Sequence, residues 1–146
     1  MIILDSNVLS EMTKPAPTVA VVDWFETQPR QRLFTTTITQ AEMLYGLEIL
    51  PKGKRRSALE SAMHAMFEVD FAERILPFDT DAARQFPFIA AYRRALGRPI
   101  ALPDAQIASI VRSRGAVLAT RDTNDFEHCG ITVLNPWTAA PGKVRR

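Results

Sequence analysis

Ile2-Ile3-Leu4 is apolar at three successive positions and stops abruptly at Asp5-Ser6-Asn7. Few features constrain a fold more tightly. A strand apolar at every residue, rather than at every second one, has to be covered on both faces, which predicts a parallel strand inside an α/β sheet that empties into a polar turn. Leu33 to Thr36, Ile75 to Phe78, Val117 to Ala119 and Ile131 to Leu134 repeat the motif. The Ile75 segment reads as a short strand or sheet edge ended by Asp79.

Segments of helical spacing separate these runs. Val19 to Phe25 is expected to be a helix with Thr18 as N-cap. Thr39-Gln40-Ala41-Glu42 has the spacing of a capping box, which would fix Glu42 in the first turn of a helix carrying Met43, Leu44, Leu47 and Leu50. Pro51-Lys52-Gly53 ends it, and Ser57 to Phe71 completes a helical hairpin. Thr80 to Leu96 is helical up to Gly97, with Pro87 expected to kink or split it. Pro103 suits the first position of a helix that holds Asp104 in its opening turn and stops near Gly115. Strands alternating with helices predict a mainly parallel central sheet with helices on both faces.

With 146 residues, 47% hydrophobic and 23% charged, the chain suits one compact domain over residues 1–146, with 139–146 as a flexible tail. No apolar run approaches the roughly 20 residues of a membrane span, and the start lacks a signal-peptide pattern, so a cytosolic protein is expected. The lone Cys129 excludes an internal disulfide and a thiolate zinc cluster. Its neighbour His128 does not make it a nucleophile, because a catalytic pair needs facing side chains.

Asp5, Glu42, Asp104 and Asp122 each fall where a strand stops or a helix starts. Taken singly, each has an ordinary explanation: a turn residue, half of a capping box, or a helix-dipole partner. Taken together, they sit at the edge of a parallel sheet where ligands gather, beyond the carboxyl ends of strands. Crowded carboxylates repel, so a fold that gathers them is expected to hold a divalent cation, and hard oxygen donors favour Mg²⁺, with Mn²⁺ as the alternative. The net charge is +2; setting these four acids aside leaves 12 acids against 18 basic residues, a surplus of six positive charges suited to a polyanion.

The segments Ile3-Leu4-Asp5-Ser6-Asn7-Val8-Leu9-Ser10, Thr39-Gln40-Ala41-Glu42-Met43-Leu44-Tyr45-Gly46, the Asp104 helix start and Leu118-Ala119-Thr120-Arg121-Asp122-Thr123-Asn124-Asp125-Phe126 resemble the PIN-domain nucleases in order and spacing. Within them the chain is most similar to VapC-type toxins of the FitB-like branch, with Arg74 to Asp79 and Asn135-Pro136-Trp137 in support. The resemblance implies a three-layer α/β/α fold and a Mg²⁺-dependent endoribonuclease of the bacterial cytoplasm. It also implies an antitoxin partner that binds operator DNA, and a homodimer. Asp5, Glu42, Asp104 and Asp122 fall on the family's acidic positions, Asn7 and Thr120 on its polar neighbours, and Asp125 is a candidate additional acid. Asp5 and Asp104 are the expected direct ligands, with Glu42 and Asp122 holding water or a second ion. Leu102-Pro103 before Asp104 departs from the family pattern and bears on that carboxylate's aim.

Lys52, Lys54, Arg55 and Arg56 form a basic turn that is either a solvated hairpin tip or a contact for RNA phosphates, and Arg121 is a further candidate contact, as are Arg93, Arg94, Arg98 and Arg112. Two other functions remain open at this level. One is a Mg²⁺-dependent phosphatase or phosphotransferase with Asp5 as nucleophile, although no second acid follows two residues on. The other is a binding module without turnover.

Overall fold

A computed structural model describes residues 1–139. In chain order the elements are β1 (Ile2–Leu4), α1 (Ser6–Met12), α2 (Val19–Glu26), β2 (Leu33–Thr36), α3 (Thr37–Glu48), α4 (Lys54–Ala65), β3 (Ile75–Leu76), α5 (Thr80–Ala95), α6 (Leu102–Ser113), β4 (Val117–Ala119) and β5 (Thr132–Leu134). The strands form one sheet in the order β3-β2-β1-β4-β5, and each pairing is parallel. Ile3 lies opposite Phe34 on one side and Leu118 on the other, so β1 is central.

The two-residue period of the pleat divides the core in two. Ile2 and Leu4 pack with Val8, Leu9, Trp24, Met43, Met63 and Phe67 under α1 to α4. Ile3 and Leu118 pack with Ile89, Ile107, Ile110 and Val111 of α5 and α6. The result is the three-layer α/β/α arrangement, with β1 buried on both faces as its composition requires. Among the described residues, no helix is long and apolar enough to cross a membrane.

Several local expectations are corrected. The polar turn after β1 is in fact helix α1, because Asp5 accepts a hydrogen bond from the Ser6 N–H at 2.8 Å and acts as N-cap. Helix α3 starts at Thr37, and its cap is Thr36, whose hydroxyl accepts from the Thr39 N–H at 3.1 Å. Glu42 therefore stands in the second turn, and Thr39 is a buried residue inside the helix. Thr18 precedes α2, but its hydroxyl donates to Glu11 at 2.8 Å instead of capping. Pro87 does not split α5; Pro87 and Ala83 are exposed, so water can serve the carbonyl that the proline leaves unpaired. Helix α6 begins one residue early, at Leu102, which keeps Asp104 in its first turn. Of the expected flexible tail, Ala139 donates its N–H to Asn135 at 3.0 Å and packs on the core, while 140–146 lie outside the described residues.

Candidate active site

The chain departs from β1 toward β2 and β3 on one side, whereas β4 and β5 lie on the other. The carboxyl ends of β1 and β4 thus flank the sheet's topological switch point, where parallel sheets open a crevice. Asp5 follows β1 directly and its N–H is tied to Ala119 of β4 at 3.0 Å. Thr120, Arg121 and Asp122 follow β4.

One hydroxyl organises this junction. Thr120 Oγ1 donates to Asp5 Oδ2 at 2.8 Å and accepts from Asn7 Nδ2 and from the Asp122 N–H, each at 3.1 Å. Its single donor and both lone pairs are then used, which leaves it one orientation. Asn7 Nδ2 also donates to Asp122 Oδ2 at 3.1 Å, and Asn7 Oδ1 accepts from the Arg121 N–H at 3.2 Å. A closed network therefore joins Asp5, Asn7, Thr120 and Asp122 across more than a hundred residues of sequence.

Glu42 stands on α3 and Asp104 on α6, two helices that touch each other, and both carboxyls feel the charge of Asp5. Burial raises the Glu42 carboxyl above its ordinary value, and the charges of Asp5 and Asp104 raise it further. Asp104 is pushed up to about 6, first by burial and then by Asp5, Asp125 and Asp122, against a small opposing pull from Arg93. Asp5 is also raised: burial outweighs the hydrogen bonds from Thr120 and Ser6, and Asp122 and Asp125 add to it. Each of the four acids acts on at least one other, so the wide sequence spacing closes into one negative region. Asp125, on a single 3₁₀ turn over Thr123–Phe126, contributes to it.

Among the described residues, no three His, Cys, Asp or Glu side chains approach closely enough to form a ready-made cage. The donor set is all carboxylate and the region is open. That fits a hard cation that keeps most of its water and takes one or two protein oxygens directly.

The basic residues separate. Arg56 closes the α3–α4 hairpin by donating to the carbonyls of Leu50 at 3.0 Å and Glu48 at 3.3 Å and pairing with the Glu48 carboxylate at 3.2 Å, a use that competes with RNA contact. Lys52, Lys54 and Arg55 are exposed at the tip, past the end of α3 at Glu48, itself about 9 Å along the helix from Glu42. Arg93, a candidate RNA contact, is instead buried and holds the backbone of the 125–127 segment, a role its sequence neighbourhood does not signal. Arg121 is exposed, with its guanidinium 5.0 Å from the ring centre of Trp137.

A parallel α/β sheet with an acidic, hydrogen-bonded switch point defines the class to which this molecule belongs. Residues 2–131 match the PIN domain family, and the chain belongs to it. It is 39% identical over 140 residues to VapC ribonuclease Y4jK of Sinorhizobium fredii, covering 96% of this chain and all of that one. It is 36% identical over 137 residues to Toxin FitB of Neisseria gonorrhoeae, covering 94% and 99% respectively. In structure it is similar to a chain of FitAB bound to an IR36 DNA fragment, with a TM-score of 0.89 at 36% identity over 98% of this chain and the whole of that one.

Proposed function

We propose that the chain, acting as one PIN-like unit in the bacterial cytoplasm, is a divalent-metal-dependent endoribonuclease and the toxin of a toxin–antitoxin pair. The mutual electrostatic influence of Asp5, Glu42, Asp104 and Asp122 around the β1/β4 switch point carries this reading. In this reading five carboxylates, counting Asp125, face one crevice, which would be a poor docking site for a polyanion unless a cation offset them.

In this reading Asp5 and Asp104 are direct oxygen donors to Mg²⁺ or Mn²⁺, and Glu42 and Asp122 orient water around it. The cation, when bound, lowers the pKa of water and offsets charge on the phosphate in the transition state. The chain's own residues do the rest. Thr120 fixes the rotamer of Asp5, and Asn7 fixes Asp122 against Thr120, so the acids are held before substrate arrives. A carboxylate takes the proton of the attacking water, whose oxygen bonds to phosphorus as the 3′-oxygen departs and is protonated. The products are a 5′-phosphate and a 3′-hydroxyl.

The ribonuclease of Sinorhizobium fredii supports ribonuclease activity, and the similarity to FitAB bound to an IR36 DNA fragment supports a partner that takes part in DNA binding. A second copy of the chain is also proposed. Phe88, Tyr92 and Leu96 form an exposed stripe along α5, the kind of apolar face that a dimer covers. The test of the activity is RNA cleavage by purified protein with and without Mg²⁺, alongside Asp5→Asn. Loss of cleavage in a folded variant is expected, and undiminished Mg²⁺-dependent cleavage would overturn the assignment.

A further inference from the structure

Arg121 lies between two residues of the acidic network, yet its guanidinium takes no part in that network. Its N–H is anchored to Asn7, which fixes the backbone at the crevice edge. The side chain is exposed and lies against Trp137; among the described residues its guanidinium has no hydrogen bond or ion pair, and its charge acts on the Glu11 carboxylate from beyond contact distance. Trp137 is itself held in place: its N–H donates to Asn135 Oδ1 at 2.9 Å, and its ring packs on the core. The Thr120 N–H donates to Leu134 at 2.9 Å, which joins the two segments that carry the pair.

We propose that Arg121, laid on Trp137, is a phosphate-binding site for single-stranded RNA, engaging the phosphate next to the scissile one. This rests on the nuclease reading. A polyanion approaching the acids meets repulsion, and a positive group beside Asp122 opposes that locally. The cation–π contact restrains a long side chain while leaving its N–H donors available, so less freedom is lost when a phosphate binds. A guanidinium also matches two phosphate oxygens at once, which an ammonium does not. Because this phosphate is not the reacting one, the contact acts equally on ground and transition states.

The test uses a fluorescein-labelled, mixed-sequence single-stranded RNA with Mg²⁺. Cleavage kinetics are measured for wild type, R121A, R121K and W137A, and binding is measured across salt concentrations in an Asp5→Asn background. R121A is expected to raise KM about tenfold with little change in kcat, and to flatten the log affinity against log salt slope by about 0.7, the value for one single-strand phosphate contact. R121K should keep the slope and lose part of the affinity, and W137A should lose affinity with the slope retained. Wild-type KM and slope in R121A would overturn the proposal, as would a fall confined to kcat. Thermal midpoints distinguish loss of contact from loss of fold. A wild-type protein that neither binds nor cleaves this RNA would remove the nuclease reading and the proposal together, whereas normal wild-type cleavage with an indifferent R121A removes the proposal alone.

Discussion

Arg93 and Asp5 are both buried, 5% and 6% exposed, yet the fold treats their charges in opposite ways. Arg93 Nε donates to the Arg98 carbonyl at 2.7 Å, and Nη1 donates to the carbonyls of Asp125 and Glu127 at 2.9 and 3.0 Å. That guanidinium is neutralised by oriented backbone, as a structural charge should be. Asp5 has two hydrogen bonds as well, but desolvation exceeds them and the nearest charges are further carboxylates. A buried charge left in a field of like sign is what the proposed reading requires of Asp5, a carboxylate completed by a cation from outside the chain.

The largest expected effect separates these regions cleanly. Asp5→Asn should cut RNA cleavage by at least about 10²-fold, on the scale of losing one electrostatic group in an active site, with no fall in the metal-free thermal midpoint. Arg93→Ala should do the reverse in kind: chemical denaturation is expected to show a loss of about 3 kcal/mol, because three carbonyls lose their donor, with activity falling only as the folded fraction falls. Equal effects of both variants on stability would erase the distinction between the two regions.

Smaller changes sharpen it. Thr120→Val removes the hydroxyl that orients Asp5 and should lower kcat/KM about tenfold, the usual scale for a residue supporting a metal ligand, with Mg²⁺ needed at higher concentration in a cleavage titration. The smallest effect is on stability against pH. Asp104 binds its proton up to about pH 6 when folded and only to its ordinary 3.8 when unfolded, so between these values the native state holds more protons. Metal-free stability should then fall as pH rises through about 4 to 6, by roughly 1 kcal/mol once solvent screening of this partly buried group is allowed for. Asp104→Asn should flatten that segment of a urea-denaturation pH series, and Mg²⁺ at pH 7 should restore the lost stability in the wild type.

The central strands are legible because burial on both faces imposes continuous apolar runs, and Asp5, Asp104 and Asp122 stand out because they follow those runs or open a helix, whereas Glu42 lies in the second turn of α3. Helix α1 is not legible, since Asp-Ser-Asn suits an N-cap as well as a turn and local chemistry does not choose between them. The start of α3 was misplaced for a related reason. Thr35, Thr36, Thr37 and Thr39 offer several caps within five residues, and only the exit of β2 at Thr36 selects one. Thr18 was spent on Glu11 and Arg93 on distant carbonyls, both tertiary choices without a local signal. Asp5 and Thr120 are 115 residues apart, so their hydrogen bond follows from the sheet order and not from any motif.

The proposed convergence on one ion is tested by adding substoichiometric Mn²⁺ to uniformly ¹⁵N-labelled protein and following the backbone amide signals. The account predicts that those of Asp5, Glu42, Asp104 and Asp122 broaden together, with one shared titration curve, and that Asp5→Asn weakens the effect at all four. Signals that stay sharp, or that broaden in separate groups with independent midpoints, would contradict it.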